Sequence, residues 1–413
     1  ADTRAGRAVG GRATAGRGRH RARGALAATQ VALSLVLLVG VGLLGRSLTA
    51  LVQDDRGFRE ERVLAATMFA WQQFPTEERR AAFVRDAVDR LRALPGVRAA
   101  AAASALPLAE PIGQEDVAFA LDGRPLPDAD EAPTAHLTIA TPGYLDALGI
   151  ALRRGRPLLP TDAADAPPVA LVNEAFARRH FPGEDPVGRR VALRRRGGLT
   201  AARQIVGVVA DVRQRSLAEA ARPAVIVPHA QSPTGSIAFV VRTAGAPEPL
   251  LPTVRRTLAA LAPSTPIAGA TTLEELVARS LRERRFLITV LGGFAGVALA
   301  LAALGVYGVL AQVAAERRRE VGVRLALGAR GADVARLLVG GGVRLAAVGA
   351  ALGVAGAAAL APVLRSLLYG VGTLDPPTFV AATAVVLGAS VLASWLPAQR
   401  AARLPPTDAL RVD

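Results

Sequence analysis

Four long apolar runs and one long stretch of mixed polarity divide the chain. The first run, from Ala25 to Leu44, contains no charged residue, and a helix needs about 20 residues to cross the hydrocarbon core of a membrane. A cleaved signal peptide is the alternative, but Arg46 and a polar chain follow where a small-residue cleavage site is expected, which favours a retained helix. The pattern predicts four transmembrane helices, at 25–45, 286–313, 337–360 and 379–396.

The stretch 46–285 contains no further run long enough to span a membrane and has the pattern of a globular α+β domain. Alternating apolar positions indicate strands, and an apolar face that recurs every three to four residues indicates helices. Strand, helix and strand follow one another twice, at 63–70, 76–94 and 97–104 and again at 237–243, 248–261 and 266–270. Two β-α-β units around an insertion predict a split ferredoxin-like, porter-like subdomain, with a second subdomain inserted at about 141–229.

The chain is strongly basic, because 50 basic residues outnumber 34 acidic ones and give a net charge of +16. In a soluble protein this excess suggests nucleic-acid binding, but here arginines cluster beside the apolar runs, in residues 1–24, 314–336 and 397–413. All three clusters fall on one side of a four-helix arrangement, and the positive-inside rule places that side in the cytoplasm. We therefore predict a multi-pass protein of the bacterial inner membrane, with cytoplasmic termini, residues of about 46–285 periplasmic, and no nucleic acid among its partners.

The two ends of the chain are predicted to lie outside the globular structure. The first 24 residues are rich in Gly, Ala and Arg and show no helical or strand period. This composition favours a solvated linker, and no aromatic residue interleaves the arginines to stack on a base. We predict a cytoplasmic Arg/Gly linker at 1–24 and a cytoplasmic tail at 397–413.

The residue patterns that catalysis needs are not found. The sequence has no cysteine and no lysine, and a P-loop needs a lysine on the phosphates, so an ATPase that drives this protein is another polypeptide. The four histidines, at 20, 136, 180 and 229, are scattered without the spacing of a metal site. Paired carboxylates such as Glu77 and Glu78 stand where they favour a helix N-terminus. The sequence predicts a protein that is not an enzyme and has no cofactor or metal site.

Two of the apolar runs contain glycines four residues apart, Gly292 with Gly296 and Gly349 with Gly353. Small residues at this spacing let the backbones of two helices approach closely. We interpret them as packing sites within one helix bundle, with a dimer face as the alternative.

A basic amphipathic stretch, ERRREVGVRLALGAR from Glu316 to Arg330, lies between the second and third runs. On a helical wheel Arg317, Glu320 and Arg324 form one polar stripe with apolar residues on both sides, and Glu320 precedes Arg324 at the favourable i,i+4 spacing. Such a helix lies in the membrane interface and presents its stripe to water or to a partner. The alternative is a basic loop that only fixes the topology.

The stretch EVGVRLALGA after a glycine-rich run, followed by two further runs and the closing PAQRAARLPPTDALRVD, resembles the FtsX-like permease domain of MacB-type ABC transporters. The stretch between the first two runs resembles the MacB-like periplasmic core domain in PGYLDALGIALRRGRPLL (Pro142 to Leu159) and IVGVVADVR (Ile205 to Arg213). The segment FAGVALALAALGVYGVLAQVAAERRREVGVRLALGA is most similar to the acidobacterial-type duplicated orphan permeases (ADOP), which carry two such halves. With one copy of the unit, an Arg/Gly linker and no initiating Met, the chain looks like the C-terminal half of one.

The resemblance implies a noncatalytic permease subunit that couples ATP hydrolysis by a separate cytoplasmic ABC ATPase to motion of a periplasmic domain, for export or another envelope process. In that family the loop between the second and third helices docks on the ATPase. The coupling segment here is 314–336, and its implied contact residues are Arg317, Glu320, Gly322, Arg324, Ala326, Gly328 and Ala329. A homologous permease half, fused or as a second copy, and membrane lipid are the other implied partners. The alternative is a membrane signalling or scaffold protein whose periplasmic domain senses a ligand or regulates an envelope enzyme.

Overall fold

The computed structural model describes residues 5–109, 115–121, 132–195, 198–316 and 331–402. The chain divides into two compact units, a helix unit (Ala1–Gln53 with Glu283–Asp413) and an α+β unit (Asp54–Arg282). The helices are α1 (Ala5–Gln53), α2 (Glu77–Arg92), α3 (Tyr144–Leu148), α4 (Glu174–His180), α5 (Leu251–Leu261), α6 (Leu273–Glu316), α7 (Gly331–Leu360) and α8 (Pro376–Ala402).

The strands all belong to the α+β unit. They are β1 (Val63–Phe69), β2 (Val97–Ala103), β3 (Glu115–Leu121), β4 (Thr134–Ala140), β5 (Leu152–Gly155), β6 (Val169–Asn173), β7 (Arg190–Arg195), β8 (Gly198–Leu199), β9 (Arg203–Val209), β10 (Ala224–Pro228), β11 (Ser236–Thr243) and β12 (Ile267–Thr272). Short 3-10 helices lie at His229–Gln231, Glu248–Leu250 and Ala361–Leu364.

A ferredoxin-like subdomain is built from the two predicted β-α-β units. Its strands follow the order β2-β11-β1-β12, and each neighbouring pair is antiparallel. The helices α2 and α5 pack on one face, where Phe83 and Leu258 meet Met68 and Phe239 from the strands. Thr76 fixes the start of α2, because its hydroxyl accepts a backbone N–H three residues on at 3.3 Å. This arrangement confirms the predicted split ferredoxin-like subdomain.

The inserted residues form a closed ring of six strands, the ring subdomain. Around it run β4, β10, β6, β9, β7 and β3, and β3 pairs again with β4. Apolar side chains that include Phe119 and Phe176 fill its interior. The ring begins at Glu115, ahead of the predicted start at about 141, because β3 and β4 belong to it. The alternation of apolar Val117, Phe119 and Leu121 in β3 is the sequence signal for this strand.

Among the described residues, four helices are long and apolar enough to cross a membrane, which confirms the predicted number. The candidate spans are Ala22–Gln53, Leu273–Glu316, Ala335–Leu364 and Pro376–Arg400. All four helices run further than the predicted spans. The helix α1 begins at Ala5, within the predicted linker, because Ala and Arg are strong helix formers and extending an existing helix needs no new nucleus. The helix α8 continues past Pro397, the predicted end, to Ala402.

The helices α1 and α7 lie in close contact at two glycines of α7. A Cβ atom added at Gly349 would lie 2.7 Å from the Ala28 carbonyl oxygen, and one at Gly353 would lie 2.9 Å from the Ala32 carbonyl oxygen. These distances leave no room for a side chain, so the two backbones meet directly. By contrast, a Cβ at Gly292 or Gly296 on α6 would meet no atom within 4 Å among the described residues. The same sequence motif therefore occupies two different environments.

The two glycine pairs give a matched test of this packing. We expect Gly349→Ala to destabilise the helix unit by about 1–3 kcal/mol, the usual cost of overpacking, because the added methyl group pushes α7 away from α1. Gly292→Ala is the control, because its methyl group enters open space and alanine favours a helix. Thermal unfolding of the full chain in detergent measures both. Equal midpoints for the two variants would show that α1 and α7 do not meet at Gly349.

Candidate functional site

The predicted coupling residues lie outside the described residues. They are Arg317, Glu320, Gly322, Arg324, Ala326, Gly328 and Ala329, within the segment 317–330. The structure describes the helix ends that carry this segment, because α6 ends at Glu316 and α7 begins at Gly331. The candidate site therefore comprises the two ends of the helix bundle, the loop end at Glu316 and the domain end where α1 stops at Gln53.

Polar side chains join three helices at the loop end, and we name them the loop-end cluster: Arg23, Tyr307, Gln312, Glu316 and Arg400. The guanidinium of Arg400 on α8 donates to the Tyr307 hydroxyl of α6 at 3.1 Å. Arg23 of α1 donates to the Gln312 side chain of α6, and Gln312 Nε2 donates to Glu316 Oε1 at 2.9 Å. The last turns of α6 are thus bonded to α1 and α8 immediately before the coupling segment.

Apolar packing at the same end includes α7. Ala398 of α8 is buried, and Val313, Ala314, Ala335 and Val339 pack against it. Since these residues come from α6, α7 and α8, the helices on both sides of the coupling segment share one contact layer.

A second cluster, the domain-end cluster, consists of Arg46, Ser47, Arg284, Asp375 and Thr378. Asp375 is the N-cap of α8, because its Oδ2 accepts the Thr378 backbone N–H at 3.1 Å and the Thr378 hydroxyl at 2.6 Å. The same oxygen accepts a hydrogen bond from Arg46 Nη1 of α1 at 2.8 Å. The hydrogen bonds from Thr378, with the positive charge of Arg46 as a smaller cause, lower the pKa of Asp375.

Two further hydrogen bonds bind the connection between α7 and α8. The backbone N–H of Tyr369 donates to Ser47 Oγ of α1 at 2.8 Å. Arg284 of α6 donates to the Leu367 carbonyl oxygen at 2.8 Å. The two helices that carry the chain to and from the α+β unit, α1 and α6, are therefore both bonded to the α7–α8 connection. Movement of this connection would be transmitted to both of them.

The sequence analysis missed both clusters. The run Asp375-Pro376-Pro377-Thr378 carries a local signal, since an Asp N-cap followed by Pro at the first helical position is typical of a helix start. Arg46, its partner, lies 329 residues away in the sequence. No spacing rule connects residues that far apart, so only the fold identifies the pair.

Two protein-family models match the chain. The MacB-like periplasmic core domain matches residues 25–268, and the FtsX-like permease C-terminal model matches residues 292–406. The first match covers more than half of the chain and includes α1 from residue 25 onward and nearly all of the α+β unit. The second includes most of α6, all of α7 and α8, and the coupling segment.

Curated relatives are ATP-binding/permease proteins. The chain is 26% identical over 259 residues to the pyoverdine export ATP-binding/permease protein PvdT of Pseudomonas putida, an alignment covering 60% of this chain and 39% of that protein. It is 35% identical over 116 residues to the macrolide export ATP-binding/permease protein MacB of Shigella flexneri, covering 28% of this chain and 18% of that protein. The chain thus spans less than half the length of these relatives.

Among solved structures, the periplasmic region of MacB from Actinobacillus actinomycetemcomitans is 13% identical, with a TM-score of 0.38, and the match covers 56% of this chain and 97% of that one.

The two roles of Asp375 can be separated by substitution. Asn can accept the cap hydrogen bonds of α8 but carries no charge to pair with Arg46. Ala can neither accept these hydrogen bonds nor form the ion pair. Because an exposed ion pair contributes little and the Arg46 side chain is 49% exposed, we expect Asp375→Ala to open the first turn of α8 much more than Asp375→Asn. Hydrogen–deuterium exchange at the Thr378 amide of the full chain measures this opening. If Asn accelerates exchange as much as Ala, the ion pair with Arg46 and not the cap holds this end of α8.

Proposed function

Because this chain belongs to the family that carries a MacB-like periplasmic core domain and an FtsX-like permease domain, we propose that it is a noncatalytic permease subunit of an ABC-type transporter. In this proposal it couples ATP hydrolysis by a cytoplasmic ATPase to motion of the α+β unit on the periplasmic side. The observation that carries the proposal is a bundle of four helices bonded together at both ends. One end leads to the coupling segment, and the other leads to the α+β unit.

The helix α6 supports a mechanical role because it is one continuous element. It contains 44 residues, which at 1.5 Å per residue is about 66 Å, roughly twice the thickness of a hydrocarbon core. Its first residues, up to Arg282, belong to the α+β unit and the rest belong to the helix unit. A displacement of its end at Glu316 therefore acts directly on the chain that enters the α+β unit.

The interior of the bundle supports mechanical coupling over passage of a solute between the helices. Its core is apolar, with Val31, Leu35, Val306 and Val386 among the buried side chains. Three buried serines of the bundle, Ser34, Ser390 and Ser394, donate to carbonyl oxygens of their own helices; for example, Ser390 Oγ donates to the Val386 carbonyl oxygen at 2.8 Å. Such serines offer no continuous polar path across a membrane.

The ATPase is proposed as a partner because these 413 residues contain no lysine for a P-loop. The relatives PvdT and MacB are each named as one ATP-binding/permease protein, whereas our proposal assigns the ATP-binding activity to a separate subunit. Its contact surface is the coupling segment, with Arg317, Glu320, Gly322, Arg324, Ala326, Gly328 and Ala329.

A homologous permease half is the second proposed partner, and α6 is the surface we assign to it. Phe294 and Val297 of α6 are 61% and 60% exposed, on a helix whose Gly292 and Gly296 meet no atom within 4 Å among the described residues. Small residues beside large apolar ones suit the approach of another helix. Membrane lipid is the alternative cover for this face.

Charge reversal in the coupling segment tests the proposed function. We expect Arg324→Glu to abolish stimulation of the ATPase that copurifies with the full chain, because a partner surface that accepts a cation would repel a carboxylate. Arg336→Glu is the matched control, since Arg336 lies at the end of the segment, outside the predicted stripe, and its side chain is 84% exposed. ATP hydrolysis by the purified complex in lipid nanodiscs measures both variants.

Three outcomes decide between the readings of the segment. Loss in Arg324→Glu alone supports docking of the ATPase at the predicted stripe. Equal loss in both variants would show a general effect of basic charge, as for a loop that only fixes the topology. Normal coupling in Arg324→Glu, or copurification of no ATPase at all, contradicts the permease proposal and leaves the signalling or scaffold alternative.

A further inference from the structure

A cavity of about 770 Å³ lies inside the α+β unit, between the ferredoxin-like and ring subdomains. This volume is in the range of small-molecule sites, roughly 300–1,000 Å³. Leu137 and Arg203 line it from the ring, Ser104 and Ser236 from the ferredoxin-like side, and the residues from Gln231 to Thr234 from the connection between them. Neither subdomain forms the cavity alone.

Arg203 is the unusual residue of this cavity. It is the first residue of β9 and is only 6% exposed. Its Nη1 donates to Gln231 Oε1 at 3.0 Å and its Nη2 donates to Ser232 Oγ at 3.0 Å, while the buried Nε has no hydrogen-bond partner in the described part of the chain. Burial, followed by the charge of Arg195, lowers the pKa of Arg203, but an arginine stays charged at neutral pH.

Gln231 holds the Arg203 guanidinium in place. The Gln231 Nε2 donates to the carbonyl oxygens of Ala163 and Pro167, both at 3.2 Å. Its Oε1 accepts the Val169 N–H at 3.1 Å in addition to the bond from Arg203. All hydrogen-bonding positions of this amide are used, so its orientation is fixed. The guanidinium is therefore part of a built site and does not lie loosely in the cavity.

The charge of Arg203 has no counterion among the described residues. The groups that accept its hydrogen bonds are an amide, a hydroxyl and a backbone carbonyl, and no described carboxylate oxygen lies within the 4.0 Å of an ion pair. Arg195, by contrast, has Glu115 Oε2 at 3.9 Å. A buried cation without an anion is costly, and the cost is removed when an anion binds.

From this geometry we propose that the cavity binds an organic monoanion, with its carboxylate on Arg203 and its apolar body against Leu137, Ile139 and Trp71. These three residues line the same cavity, and Trp71 is 50% exposed. Glu77 and Glu115 also line it, and their negative charges disfavour phosphate, sulfate and other polyanions. Binding at this site needs neither ATP nor an ATPase. It can therefore be tested independently of the proposed coupling function.

The experiment uses the full chain in lipid nanodiscs with 4-phenylbutyrate as the probe and its neutral amide, 4-phenylbutyramide, as the matched control ligand. Trp395→Phe leaves Trp71 as the only tryptophan, since the chain contains two, and Trp71 fluorescence reports occupation of the cavity. We expect saturable binding of the carboxylate and none of the amide. Equal binding of both ligands, or no saturable binding of the carboxylate, overturns the proposal.

Substitution of Arg203 is the second part of the experiment. We expect Arg203→Gln to weaken carboxylate binding by at least about tenfold, because a hydrogen bond to a charged group is lost, and Arg203→Lys, which keeps the charge, to weaken it less. Arg256→Gln, at an exposed arginine of α5 outside the cavity, is the control and should leave binding unchanged. Unchanged binding in a folded Arg203→Gln variant overturns the proposal. If that variant does not fold, the comparison of carboxylate with amide on the unmodified Arg203 decides alone.

Discussion

The close contact between α1 and α7 is the interaction on which the helix unit depends. Helices inside a membrane gain little from burying apolar side chains against one another, because lipid tails are equally apolar, and packing across small residues holds them together instead. Gly349 and Gly353 allow that packing, since any side chain there would meet the α1 backbone. With α1 fixed along α7, Arg46 reaches Asp375 near one end and Arg23 reaches α6 near the other. Both clusters of the candidate site therefore rest on this contact.

Local patterns were sufficient to predict the four spans and the two β-α-β units, but contacts between distant residues were not predictable. Apolar runs identify the four helices because a span needs about 20 apolar residues wherever it packs. The motif shared by Gly292 and Gly349 could not show that, among the described residues, only the pair Gly349 and Gly353 meets another helix, because that depends on which helix lies opposite. For the same reason, nothing near Arg203 in the sequence indicates that it is buried with no carboxylate partner in the described part of the chain. The proposed docking stripe stays a sequence prediction, since residues 317–330 lie outside the described part of the chain.

The cavity and the coupling segment suggest how ligand and movement could be linked. Arg203 belongs to the ring subdomain, and Ser104 and Ser236 belong to the ferredoxin-like side. An anion with its carboxylate on Arg203 of the ring and its apolar body against Trp71, just after β1 of the ferredoxin-like subdomain, would contact both subdomains. If motion in the α+β unit alters the distance between the subdomains, then binding and motion influence each other by equal free energies, as linkage requires. The proposed anion site would then report or regulate the mechanical state of the protein.

The central claim is that the helix bundle connects a cytoplasmic coupling segment to a periplasmic α+β unit. Site-directed labelling tests it directly, because the chain has no cysteine of its own. Single cysteines replace Ser264, an exposed residue of the α+β unit, and Arg336, at the end of the coupling segment with its side chain 84% exposed. A thiol reagent that does not cross membranes is applied to intact cells with permeable outer membranes and then to inverted inner-membrane vesicles. The account predicts that Ser264→Cys is labelled in the cells and Arg336→Cys in the vesicles. Labelling of both cysteines from the same side would contradict it.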